Sequence, residues 1–397
     1  MFDRYIDFST KCSARQARRH GGYKMFQLSY NSPLPPQNQL FSSPENKSQL
    51  INIIVEDLVK DTKVAEGCQS KLVITGQNPI PTEISHEGII SRQDLKNTHE
   101  EADTIVVSQA IHAAITEGKH VGVVADDTGV LIMLLYHYYS QSLTIPMTLL
   151  PTKSQRSVID INATVSKIGE LCLELLPAHA LSGCDQTAMH HGIGKMRVWK
   201  AVKNDKCSLR VLGDLTADMD ALVSQATKFM SNCYGVNIVD AMTDARVKVW
   251  ISKTGKKTVS KMPKICSLPP TSEAFRENVK RAHLQCALWK GALQEPPNVD
   301  PTGYGWERDE ENKSLEPVTL PSTKKPAPDY IMRVVYCSCA SGKPCNTRAC
   351  GCFSANLGCT MYCNCEGSSI CNNKQTIHVL GGELSDHENT YEEELDF

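Results

Sequence analysis

The sequence predicts an α/β fold built on a parallel sheet, followed by a small irregular domain rich in cysteine. Two observations carry that prediction. From residue 99 onward, stretches with helical spacing of apolar residues alternate with short valine- and leucine-rich runs, the order expected of strands joined through helices. Of the 17 cysteines in 397 residues, nine crowd between Cys337 and Cys371, where apolar residues are too few to form a core.

The opening run, FDRYIDFSTKCSARQARRHGG, mixes aromatic, acidic and basic residues and sets Asp3 close behind what would be a first strand. Residues 33–44 are rich in proline, and 47–64 space Leu50, Ile51, Ile54, Val55 and Leu58 for a helix. Residues 71–75 read as a strand. The stretch 99–118 places Ala102, Ile105, Val106, Ala110, Ala113 and Ala114 on one helical face, and Gly118 fits its C-cap. HVGVVA (120–125) then reads as a buried strand, ending in Asp126-Asp127 and leading into an apolar helix at 130–139. A second strand is expected at 144–150 and a helix at 163–176.

In an open α/β sheet, chemistry gathers at the carboxyl ends of the strands, and Asp126, Asp127 and Asp185 are expected there. Glu101 and Asp103 fall in the first turn of the 99–118 helix. Singly, each acid has an ordinary role as a helix cap or a favourable charge at a helix N-terminus. Together they form a set of hard oxygen donors, which suits Mg²⁺ or Mn²⁺ and the cleavage of phosphodiesters. Further on, Gly192-Ile193-Gly194 opens a basic helix with Lys195, Arg197 and Lys200, where backbone N–H groups and cations can meet a phosphate. A loop before an ordinary helix gives the same pattern. His190 and His191 read as loop histidines. HEEAD at 99–103 lacks the second histidine of a zinc-protease motif.

The segments EEAD (100–103), VADDT (124–128) and LSGCD-x6-GIGK (181–195) resemble the flap-endonuclease branch of the PIN-like nucleases, over roughly residues 1–203. The resemblance implies that Glu101, Asp103, Asp127 and Asp185 are catalytic metal ligands, with Asp3 and Asp126 as weaker candidates. It also implies that Gly192, Gly194, Lys195 and Arg197 bind the nucleic-acid backbone. Gly129 stands where the family pattern has a second strand-end aspartate. Two expectations therefore stand side by side. One is a Mg²⁺- or Mn²⁺-dependent, structure-specific nuclease. The other is a catalytically inactive nuclease fold of mobile-element ancestry that binds DNA or protein.

Past this region, 214–230 reads as an amphipathic helix. Residues 246–264 read as a basic β-ribbon turning at Thr254-Gly255, either lying along a phosphate backbone with Trp250 stacking on a base or serving as a solvated edge hairpin protected by its lysines. A helix is expected at 273–293, and the proline-rich stretch 294–329 reads as a linker. The expected organisation is a PIN-like domain over 1–293, this linker, a cysteine-rich domain over 330–375 and an acidic tail over 376–397.

The cysteines follow C-x-C-x5-C-x4-C-x-C-x6-C-x3-C-x-C-x5-C. An odd number argues against a complete disulfide framework, and paired C-x-C units let thiolates bridge neighbouring metal ions. The pattern resembles the tesmin-type CXC domain. That resemblance implies three zinc ions held by Cys337, Cys339, Cys345, Cys350, Cys352, Cys359, Cys363, Cys365 and Cys371. It also implies DNA contact, for which Lys343 and Arg348 are candidates, while Ala349 stands where the family has a tyrosine. A purely structural zinc knot is the alternative.

The net charge of −2 hides a basic stretch at 245–264 and an acidic one at 381–397. No apolar run nears the ~20 residues of a membrane span, and no secretory leader is expected at the start. Nucleic acid, DNA in particular, is the expected partner, and the nucleus the expected location.

Overall fold

The computed structural model describes residues 3–4, 9–17, 24–60, 70–152, 157–204, 208–236, 239–254, 265–309, 314–320 and 324–325. In the cysteine-rich segment it describes 337, 339, 345–354, 358–359, 363–365 and 371–373. The architecture is mixed α/β, about half helical, with small sheets and an irregular cysteine cluster near the C-terminus. Contacts divide the chain into two units, Met1–Leu176 with Cys286–Val299, and Pro177–Gln285 with Asp300–Asp396.

The first unit begins with helices α1 (Thr10–Ala17) and α2 (Pro44–Lys60) and an antiparallel meander, β1 (Leu72–Ile74), β2 (Thr82–Ser85) and β3 (Gly88–Ser91). Then come α3 (Ala102–Glu117), β4 (Val121–Val124), α4 (Thr128–Ser140), β5 (Met147–Leu150), β6 (Ile159–Asp160) and α5 (Ile161–Ile168). As expected, α3 ends at Gly118, whose φ of 63° lets its N–H reach the Ala114 carbonyl at 3.3 Å. Helix α4 is apolar nearly all round and accordingly buried: Val130, Leu131, Met133, Leu134, Leu135 and Tyr138 all lie inside. It packs against both α3 and α5.

Strands β4 and β5 pair in parallel, Val121 opposite Met147 and Val123 opposite Leu149, with α4 as the crossover. Strand β6 returns antiparallel, Thr148 opposite Asp160. The stretch 151–158 is too short for a parallel crossover, which needs a dozen or more residues. The sheet is therefore mixed rather than parallel throughout. Strand β4 is also less buried than its valines suggest, because it lies at the edge of the β4-β5-β6 order: Val123 is inside while Val124 is 63% exposed.

Helix α6 (Cys172–Ser182) carries the chain into the second unit, which holds α7 (Lys195–Lys203), α8 (Met219–Cys233), α9 (Met242–Thr254) and most of α10 (Ser272–Lys290). Asp185 was expected at a strand end, but it follows α6 and belongs to a loop between helices. The expected β-ribbon is also corrected: 246–254 is helical, within α9, and 255–264 lies outside the described residues. The alternation of Val247, Val249 and Ile251 misled, because Val247 and Ile251 are exposed. The buried set is Met242, Ala245 and Val249, which has helical spacing.

Within the stretch 294–329, read as a linker, β7 (Trp306–Arg308) and β8 (Leu315–Pro317) form an antiparallel hairpin that buries Trp306. Arg281 of α10 fastens it, donating from Nη1 to the carbonyls of Gly305 and Val318, each at 2.8 Å. Gly305 has φ of 79°, and a Cβ there would lie 2.5 Å from the Glu277 carbonyl oxygen. Only glycine meets both conditions.

Candidate metal-binding sites

The C-terminal segment builds a core of sulfur. Cys337, Cys345, Cys350, Cys352, Cys359, Cys363, Cys365 and Cys371 are buried together, with Cys339 half-buried against them. None of these thiols is in a disulfide, and neighbouring sulfurs stand 3.4 Å (Cys352 and Cys363), 3.6 Å (Cys337 and Cys365), 3.8 Å (Cys350 and Cys359) and 3.9 Å (Cys337 and Cys359) apart. A disulfide would need about 2.05 Å. A tetrahedron with Zn–S bonds of about 2.3 Å has edges of about 3.8 Å, so the spacing suits a thiolate-bound metal.

Three sulfur quartets have all members within 4.8 Å of one another: Cys337, Cys352, Cys359 and Cys363; Cys337, Cys345, Cys359 and Cys365; Cys337, Cys339, Cys345 and Cys350. Cys337 belongs to all three, and Cys359 and Cys345 to two each. Cys371, expected as a ninth ligand, lies outside the quartets, with its sulfur 3.8 Å from that of Cys365. Burial pushes the thiols of Cys345, Cys352 and Cys359 up, since packed thiols cannot ionise together without a cation. Two N–H groups already point at sulfur, from the Phe353 backbone to Cys350 (3.4 Å) and from the Asn373 amide to Cys359 (3.3 Å). Donor type, number and spacing all fit zinc. Arg348 is exposed beside this core, and Lys343 lies outside the described residues.

A second constellation surrounds the N-terminus of α3. Asp3 accepts a hydrogen bond from the Ala102 N–H (2.9 Å), so the first turn of α3 is capped from a distant part of the chain. Glu101 sits at the N-cap position but makes no capping bond there. Its carboxylate instead takes a hydrogen bond from the Trp289 indole (2.8 Å) and faces the Lys11 ammonium at 3.7 Å. Lys11 also pairs with Asp3 at 3.1 Å, and Ser9 donates to Glu100 at 2.6 Å.

Burial raises Glu100 to about 7. Ser9 acts in the opposite direction, and the charges of Glu101 and Asp3 raise it further. Asp103 is raised to about 6 by burial first, with Lys11 opposing, and then by Asp127, Glu101 and Asp3. The expected acids Asp3, Glu101, Asp103 and Asp127 thus share one electrostatic environment. Asp127 also caps α4, accepting from the Gly129 N–H at 2.6 Å, so the ordinary reading of this residue holds as well. Asp126 turns to the Thr152 backbone N–H at 3.1 Å and to the Thr152 hydroxyl. Raised pKa values at Glu100 and Asp103, beside the carboxylates of Asp3, Glu101 and Asp127, fit a hard divalent cation, which would favour the charged forms of those two acids.

Asp185 belongs to the second unit, where it is exposed in the loop ahead of α7. That loop turns at Gly183 (φ 128°) and Gly192 (φ 72°). A Cβ at Gly183 would meet Met189 at 2.6 Å, so this turn closes on its own backbone. Thr187 pins it, donating to the Ala180 carbonyl at 2.8 Å and accepting from the Cys184 N–H at 3.0 Å. Gly194 is the N-cap of α7 and offers no side-chain cap, and Lys195 and Arg197 are exposed just after it. His190 is buried beside Tyr234 (3.3 Å) and pushed down to about 4 by burial, so it is a neutral packing residue. His191 is exposed.

The spacing of acids in sequence gave no sign of Lys11, Ser9 or Trp289. Trp289 lies 188 residues from its partner Glu101, a separation that only the fold closes. Glu100 stood within the EEAD segment, but nothing in the sequence separated it from a solvated helix-end charge. No family model, no curated protein and no solved structure matches the chain.

Proposed function

We propose that this is a zinc-binding protein that works on or alongside nucleic acid, with the C-terminal cysteine core as its zinc centre. The single observation that carries the zinc reading is the set of three sulfur quartets sharing Cys337, Cys345 and Cys359. The repeat of cysteines resembles a CXC domain, and Arg348 at its surface suits a phosphate contact.

The finer reading takes residues 1–203 as a PIN-like nuclease fold. Asp3, Glu101, Asp103 and Asp127, all of the first unit, would hold Mg²⁺ or Mn²⁺. The ion would supply an activated water and charge for a leaving oxygen. The chain's own contribution is to orient the carboxylates through Ala102, Trp289 and Lys11. Gly192, Gly194, Lys195 and Arg197 would grip backbone phosphates at the start of α7. The inactive-scaffold reading has support of its own: Gly129 stands where the resembled family has an acid, Asp127 is engaged in capping α4 through the Gly129 N–H, and a lysine already neutralises part of the cluster. A DNA partner would place the protein in the nucleus.

Full-length protein, assayed for zinc content and for retention and cleavage of flap, single-stranded and duplex DNA, separates these readings. Mg²⁺- or Mn²⁺-dependent cutting lost in Asp103→Asn establishes the nuclease. Salt-sensitive retention without cutting leaves the scaffold. Protein free of zinc after purification in zinc-supplemented buffer ends the zinc reading.

A further inference from the structure

Lys11 is an unusual resident for a cluster of carboxylates assigned to a divalent ion. Its side chain is 5% exposed, and its ammonium lies 3.1 Å from Asp3 Oδ1 and 3.7 Å from Glu101 Oε1. Its charge also favours ionisation of Glu100 and Asp103. Burying an ammonium costs several kcal/mol unless partners compensate, so the fold has matched this cation to these acids. The two carboxylates that it pairs are held from their other sides. Asp3 is fixed by the Ala102 N–H, and Glu101 Oε2 by the Trp289 indole.

We propose that Lys11 is the resident cation of the acidic cluster and competes with a divalent ion for Asp3 and Glu101. The inference rests on the divalent-ion reading of the cluster given above. An ammonium and a divalent ion on the same two carboxylates would stand within a few ångströms of each other and repel strongly in a half-buried setting. Binding of the ion therefore requires the Lys11 side chain to withdraw, and the chain gives up affinity in exchange for carboxylates that are already oriented in the metal-free state. Lys11 is a positioning residue that occupies the site until the ion arrives.

The probe is Mn²⁺ alone, titrated into zinc-loaded full-length protein and followed by loss of the free-ion paramagnetic resonance signal. Lys11→Gln is expected to bind Mn²⁺ about tenfold or more tightly than the parent chain, because the competing charge is gone. Lys11→Arg, which keeps the charge, should stay close to the parent. A merely structural lysine would give the opposite sign, with weaker binding in Lys11→Gln. Equal or weaker binding in Lys11→Gln, with Mn²⁺ still bound by the parent, overturns the role of Lys11 and leaves the divalent site standing. No Mn²⁺ binding by either chain overturns the site, and the competition with it. Where Lys11→Gln fails to fold, the parent chain alone decides. Amine acylation at Lys11, read by mass spectrometry, should rise on saturation with Mn²⁺, and unchanged labelling overturns the proposal.

Discussion

Removing one cysteine at a time should remove a number of zinc ions set by how many quartets that cysteine serves. Cys339 belongs to one quartet, Cys359 to two and Cys337 to three. With one ion per quartet, Cys339→Ala leaves two ions, Cys359→Ala at most one and Cys337→Ala none. Alanine is preferred to serine because a hydroxyl can still coordinate. The energetic scale is large, since structural zinc contributes on the order of 10–16 kcal/mol of apparent binding energy in small zinc-dependent folds. Among the described residues of this segment the buried ones are the cysteines themselves, so its order rests on sulfur and metal rather than on apolar packing. The graded loss is therefore a lower bound, and cooperative release can empty a surviving quartet. Zinc per chain by elemental mass spectrometry, on protein purified in zinc-supplemented buffer, reads the result directly. Zinc retained by Cys337→Ala at or above the level in Cys339→Ala, with zinc still bound by the Cys337 variant, would refute the shared-thiolate geometry.

Other outcomes follow from the rest of the fold. Glu100 and Asp103 have folded-state pKa values of about 7 and about 6, above their ordinary 4.5 and 3.8. For carboxyls raised by folding, the folded state holds the proton more tightly. Metal-free stability is then full below about pH 4 and falls as pH rises toward 7, by roughly 3 kcal/mol from either group alone. Amide exchange in α3, corrected for its intrinsic pH dependence, should show protection falling over that window in Mg²⁺-free buffer. Glu100→Gln should flatten the fall, and a pH-independent α3 in the parent chain would contradict it. Gly305→Ala should cost about 2–4 kcal/mol, combining positive-φ strain with overpacking against the Glu277 carbonyl. Gly303→Ala, with open space at its Cβ position, is the control, and equal urea midpoints for the two variants would exclude that origin.

What the sequence made legible was local. The Gly118 cap, the all-round apolarity of α4 and the crowding of cysteines are each written in a few neighbouring residues, and each reappears in the structure. Helix α9 was misread for the same reason. Over 247–251 a two-residue alternation and a helical period agree, and only Met242 and Ala245, outside that window, separate them. The candidate acidic site divides along this line too. Glu101, Asp103 and Asp127 stand at element ends that the sequence locates, while the groups that decide their behaviour arrive from afar. Lys11 comes from α1, Trp289 from the end of α10 and Asp3 from ahead of both, and none of these separations leaves a periodic trace. Those distant groups matter most for function. A carboxylate cluster reads the same in sequence whether a metal ion or a lysine neutralises it, yet the first arrangement prepares a catalyst and the second withholds one. The charge of Lys11 is therefore the point on which the nuclease and scaffold readings turn, and a basic residue eight positions after an aspartate carries no mark of it.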